Sequence, residues 1–144
     1  MRARFLILLA TLSAFTWLAP TSRADVGSDL TLTVTPDTPV GSGDTVNFSL
    51  SSGNPFDLAV LVAGQQLGST PFFELTLDVI PEAFLFLGFF PTDGTIAFSI
   101  QLPSNLPPEL SGLTMNLQGV SLGFDWTTFT LLWRKSTLDS ITFE

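Results

Sequence analysis

Apolar and polar residues alternate with a period of two along most of this chain, and no window of useful length carries an apolar stripe at helical spacing. Leu30, Leu32 and Val34 alternate with Thr31, Thr33 and Thr35, and Val46, Phe48 and Leu50 with Thr45, Asn47 and Ser49. Phe73, Leu75, Leu77 and Val79 interleave with Glu74, Thr76 and Asp78. Ile96, Phe98, Ile100 and Leu102 do the same with Thr95, Ala97, Ser99 and Gln101. Successive side chains of a strand point to opposite faces, so these stretches read as antiparallel strands with one wet face and one face on a core. Leu58–Ala63 and Ala83–Phe90 are apolar at every position, which predicts strands covered on both faces.

After Leu113, Met115 and Leu117 the apolar parity flips to Val120, Leu122 and Phe124, and a β-bulge at Gln118-Gly119 is the expected cause. Phe129, Leu131 and Trp133 mark a further strand, and Ile141 with Phe143 a short last one. Turn residues fall between these runs, at Pro36–Pro39, Ser52–Pro55, Pro91–Gly94 and Pro103–Pro108. The fold class expected is all-β: an antiparallel β-sandwich of immunoglobulin-like or Greek-key type with about eight or nine short strands. The Pro-rich segment Pro103–Ser111 is read as a crossover between sheets, with one helical turn at Leu106–Leu110. Two hexapeptides, Thr45–Leu50 and Thr95–Ile100, echo each other at a spacing of 50 residues, as two strands with the same surroundings do.

The beginning of the chain reads differently. Arg2 and Arg4 precede the 15-residue apolar run Phe5–Ala19, Pro20 ends it, and Ser22-Arg23-Ala24 supplies small residues for a signal peptidase. Residues 1–24 are therefore expected to be a signal peptide, cleaved before Asp25, and 25–144 a single domain. The apolar run is shorter than the roughly 17–25 residues of a membrane-spanning helix. The expected location is secreted or extracytoplasmic, at the cell surface or in the periplasm, with no stable membrane anchor after cleavage.

From Asp25 on, all 13 acidic residues stand against Arg134 and Lys135 alone, a net charge of −11. Nucleic acid is excluded as a partner, and an anionic lipid surface would repel the chain. With Cys 0 and His 0, disulfides, Cys or His metal sites and His-based triads are ruled out. No GxSxG elbow and no Gly-rich phosphate loop occurs. The carboxylates at Asp37, Asp44, Asp93 and Asp125 fall in predicted turns, where such side chains cap their own backbone. The expectation is a protein that is not an enzyme, with no cofactor, no metal and no catalytic residue. A calcium ion would need Asp37, Asp44 and Asp93 to share one end of the sandwich.

Gly43-Asp44-Thr45-Val46, Asn54-Pro55 before Leu58-Ala59-Val60-Leu61, and Thr92-Asp93-Gly94 before a strand form a recurring grammar. Leu106–Leu113 running on to Gln118 and the closing Leu138–Phe143 complete it. In this the chain resembles small β-sandwich domains of secreted or cell-surface bacterial proteins of unknown function. The resemblance spans most of residues 28–143, departs from the family at the apolar Ala83–Phe90, and implies no catalytic residue.

Two binding surfaces are suggested. Trp126, with Asp125 and Asp93 nearby in loops, offers a ring on which a sugar would stack. Phe84, Phe86, Phe89 and Phe90, uncharged and flanked by Pro81-Glu82 and Pro91, would mark a protein-partner or self-association surface if their strand lay on an edge. The basic pair Arg134-Lys135 is the one positive spot available to an acidic partner. The function expected is a secreted, non-enzymatic structural or interaction module. Its alternatives are a carbohydrate-binding or adhesive module and a small outer-membrane β-barrel, the last disfavoured by length because eight spanning strands need about 9–11 residues each.

Overall fold

A computed structural model of the chain describes residues 30–144. The signal peptide expected at 1–24 and its cleavage site lie outside the described residues. Nine strands follow one another: β1 (Thr31–Thr35), β2 (Thr45–Ser51), β3 (Leu58–Gly64), β4 (Leu67–Phe72), β5 (Leu75–Val79), β6 (Ala83–Phe89), β7 (Ile96–Gln101), β8 (Thr114–Asp125) and β9 (Thr130–Thr142). Every strand pairing is antiparallel, and the strands form three sheets in the orders β1-β2-β7, β6-β3-β8-β9 and β4-β5. The fold is an all-β sandwich with open sheets, not a closed barrel, and this overturns the outer-membrane alternative. Among the described residues no helix is long and apolar enough to cross a membrane.

The alternating residues form the core between the three- and four-stranded sheets. Leu32, Val34, Val46, Phe48 and Leu50 are buried against Ala59, Leu61 and Leu117, with Ile96 and Phe98 packed at the margin. The two echoing hexapeptides are direct neighbours, since β2 pairs with β7, and Phe48 stacks on Phe98 with ring centroids 4.8 Å apart. Segments 52–57, 90–95 and 102–113 cross between these two sheets. The last contains a single 3-10 turn at Pro108–Leu110.

The four-stranded sheet has a second core on its other face. There Leu75, Leu77 and Val79 of the β4–β5 hairpin cover Val62, Val120 and Trp133. β3 therefore contributes to both interiors, Ala59 and Leu61 to one and Val62 to the other, as its unbroken apolar run predicts.

Three expectations are corrected. β8 keeps unbroken register with β3 from Leu58–Leu122 to Gly64–Asn116, so its apolar parity changes without a bulge in β8. Leu117 faces the first core and Val120 the second, because each side of the sheet is covered over a different length. The extra residue is in β9, where Ser136 and Thr137 together oppose Gly119. β9 is also one strand of 13 residues, not two short pieces. The third correction concerns Ala83–Phe89, which pairs only with β3 and lies at the sheet's edge with most of its side chains exposed.

Candidate interaction surface

β6 carries a bulge of its own. Val60 faces Phe86 and Ala59 faces Gly88, which leaves Leu87 as the extra residue, and Gly88 takes a positive φ of 104°. Residues three apart on a regular strand point to opposite faces, but the insertion turns Phe86 and Phe89 to the same side. Their rings meet edge-on with centroids 6.5 Å apart, while Leu87 turns inward to the first core. Phe84 shares the outer face and stacks on Phe72 of the β4–β5 hairpin. Phe84, Leu85, Phe86 and Phe89 are all exposed.

More rings gather where β3 begins and where β6 and β8 end. Register aligns Leu58 with Phe89 and with Leu122, so the 52–57 segment and the turn between β8 and β9 lie at one end of the sandwich. Phe56, Phe73 and Phe129 are 74%, 76% and 67% exposed, and each has a positive φ, at 68°, 52° and 54°. Bulky side chains rarely adopt this left-handed region, which costs roughly 1–2 kcal/mol. Phe73 opens the two-residue turn between Phe72 and Leu75, where a hairpin demands φ > 0 and Asn or Gly is the usual choice. It stacks on Trp133 with centroids 4.6 Å apart. Phe129 closes the turn between Asp125 and Thr130, beside Phe124. Trp126, 77% exposed, packs edge-on against Phe124 at 4.6 Å. The alternation of β5 includes Phe73 by parity alone; sequence reasoning missed Phe56 and Phe73 as surface residues and set Phe129 inside a strand, whereas it stands exposed in the turn before β9.

The remaining predicted residues are placed as follows. Phe90 does not belong with its neighbours on the surface: it is buried 1% exposed in the first core, and its ring fills the space a Cβ on Gly53 would take. Asp93 accepts the N–H of Thr95, and Asp125 those of Thr127 and Thr128, so both cap their own turns. The amide of Thr127 and the neighbouring groups hold the Asp125 carboxyl below its usual range. Asp44 stands before the end of β2 that pairs with Gln101, whereas Asp93 lies beyond the Leu50–Ile96 end. The shared end that a calcium site would require does not exist for these residues.

The two basic residues part company. Lys135 donates to Asp78 at 2.7 Å and to the Thr76 carbonyl, on the side of the second core. Arg134 points to the opposite face and is buried, which removes it from any surface. It shares that face with Ser121, its partner across β8–β9, and with Asp57, whose carboxylate lies against Gly123. Burial pushes the Asp57 carboxyl up, opposed by its hydrogen bond with Asn54 and the charge of Arg134. With Arg134 sequestered and Lys135 engaged, the outward charge of this sandwich is acidic.

A separate hollow of about 290 Å³ lies on the wet face of the three-stranded sheet, lined by Thr33, Thr35, Asn47, Ser49, Ala97 and Ser99. Asn47 and Ser99 satisfy one another within it at 2.6 Å. Trp126 lies in the turn between β8 and β9 of the other sheet, so the hollow and the tryptophan are not parts of one groove.

No family model and no curated protein matches this chain. Among solved structures, a superoxide reductase (neelaredoxin) from Ignicoccus hospitalis is similar over 79% of this chain and 80% of that one, at 13% identity and a TM-score of 0.38. At that TM-score the likeness carries no functional argument.

Proposed function

We propose that this chain is an exported, non-catalytic interaction module acting at the cell exterior, and that the aromatic end of the sandwich is its contact surface. The observation behind the reading is the strained exposure of Phe56, Phe73 and Phe129. Three phenylalanines occupy backbone positions suited to Asn or Gly and hold their rings in water. Strain of this kind persists where it serves a purpose, and a bare aromatic surface is costly unless something covers it. The export signal read at 1–24 and the scarcity of catalytic side chains support the same reading. The acidic surface disfavours partners that bring carboxylates close to it beyond the aromatic patch.

The test is a variant with Phe56→Asn, Phe73→Asn and Phe129→Asn, compared with wild type for retention on the envelope fraction of the producing cells. The variant is expected to fold and to be lost from that fraction. Equal retention of both proteins would remove the reading. A carbohydrate ligand is a second reading, supported by the exposed ring of Trp126 at the same end. A glycan array probed with wild type and Trp126→Ala decides it, and glycan binding that survives the substitution ends it.

A further inference from the structure

We infer that β6 is a self-association edge: two copies of this chain pair through antiparallel β6 strands and extend the four-stranded sheet into one of eight strands. The inference rests on the interaction reading above and names the partner for one part of that surface.

An edge strand presents a row of unpaired N–H and C=O groups, and only another extended strand matches that row. Natural edges are blunted by a charge, a proline or a bulge within the strand. Ala83–Phe89 has no charge and no proline, with Pro81-Glu82 and Pro91 placed only outside it, and its one protection is the bulge near its end. Its bulge at Leu87-Gly88 leaves Ala83–Phe86 as the regular segment available for pairing. A twofold axis through Leu85 places Phe84 of one copy beside Phe86 of the other, on the outer face, in two equivalent aromatic cross-strand pairs.

Charge permits the pairing despite the acidity of the chain. The two Glu82 residues would stand six positions apart along the ribbon, about 20 Å, well beyond the roughly 8 Å over which exposed charges act at physiological salt. Area is sufficient as well. At about 200 Å² per phenylalanine, the exposed fractions of Phe84, Leu85, Phe86, Phe89 and the adjacent Phe56 leave roughly 600 Å² on each copy. Covering all of it in both copies would bury about 1,200 Å², the lower limit of specific interfaces. The assembly also closes. The contact uses the same edge in both copies, so it closes at two, and at the other border of this sheet β1 packs beside β9, with Val40 bridged to Phe143 beyond its end.

The experiment uses the full chain expressed with its export segment and recovered after export. Sedimentation velocity across a concentration series is expected to show a reversible monomer–dimer equilibrium. Phe86→Lys, which sets two lysines into the paired ribbon, is expected to abolish the dimer and leave far-UV circular dichroism and the thermal transition unchanged. The chain has no cysteine, so a single introduced thiol is a clean reporter. Leu85→Cys is expected to give a disulfide-linked dimer on mild oxidation, and the control Ser99→Cys, on the other sheet, is not. A monomer at the highest soluble concentration, with no linkage through Leu85→Cys, overturns the inference. So does a dimer that survives Phe86→Lys, or an edge that binds zwitterionic vesicles in place of a second copy. Any of these results leaves the broader reading standing if the Phe56, Phe73 and Phe129 variant still loses envelope retention.

Discussion

The carboxamide of Gln118 holds Asp78 from two directions: its Oε1 accepts the Asp78 N–H at 2.9 Å and its Nε2 donates to the Asp78 carboxylate at 2.8 Å. The same Nε2 donates to the carbonyl of Ser136, beside the β9 bulge. Gln118 is fully buried and every polar atom of its side chain is satisfied, so one residue of β8 ties the β4–β5 hairpin to the four-stranded sheet.

Gln118→Leu keeps the volume and removes these bonds, leaving the Asp78 amide and the Ser136 carbonyl without their partner. The expected cost is about 2–4 kcal/mol, since stranded buried polar groups lose their full solvation. Urea unfolding followed by tryptophan emission measures it, because Trp133 is covered by Phe72 and Phe73 of the same hairpin.

Stability should respond to acid in two opposite ways. The hydrogen bond from Lys135 is the largest influence on the Asp78 carboxyl and holds it below its usual range. The stabilisation from ionised Asp78 is therefore complete above the unfolded value near 3.9 and is lost as pH falls through the lower folded value. Both side chains are substantially solvated, so the loss is at most about 1 kcal/mol. Asp57 runs the other way. Its folded pKa is raised by burial, so the ionised form costs stability, and the cost disappears as pH falls through that raised value. In thermal melts from neutral pH downward, wild type should gain relative to Asp57→Asn first. It should then lose relative to Asp78→Asn below the ordinary carboxylate range. A constant difference between wild type and Asp57→Asn across that span would contradict the first claim.

Phe56→Asn should raise stability by about 1 kcal/mol, because Asn accepts the left-handed backbone and no ring stacking is given up. Phe73→Asn should be close to neutral: the relief of strain is offset by the lost stack on Trp133, worth about 0.5–1.5 kcal/mol. Chemical denaturation of the two single variants separates these cases. A destabilised Phe56→Asn would mean that its ring is held by contacts that favour the exposed pose.

Gly119→Ala should destabilise by about 1–3 kcal/mol through overpacking. A Cβ there collides with a methyl of Leu50 and presses on the hydroxyl of Ser136 at 3.2 Å. Coupling Gly119→Ala with Leu50→Val should recover part of the loss, which equilibrium unfolding of the double variant reads directly.

The strands with one wet face were legible because alternation survives only where one side meets solvent. β1, β2, β5 and β7 are of this kind, and β3 announced its two covered faces by being apolar throughout. The same composition misled at β6, since an apolar run is identical on paper whether a second layer covers it or not. β4 went unread because Gly68 and Pro71 interrupt Leu67–Phe72, and its pairing with β5 is itself irregular between Leu67 and Thr70. The parity change in β8 was visible, but its cause is the position of two cores, which no local pattern encodes. Of the candidate surface, Trp126 and the β6 phenylalanines were named beforehand, Phe129 was read as a strand residue, and Phe56 and Phe73 emerge only from backbone angles.

Val40 and Phe143 run side by side in the same direction, and the Val40 amide bonds to the Thr142 carbonyl while its own carbonyl accepts from Glu144. Nearby, the Val34 amide is held by the Asp139 carboxylate. Tension drawn along the polypeptide from both sides would load these bonds in shear, stretching them together and not peeling them one by one. Bonds loaded together in this way yield at a higher force than the same bonds opened one after another.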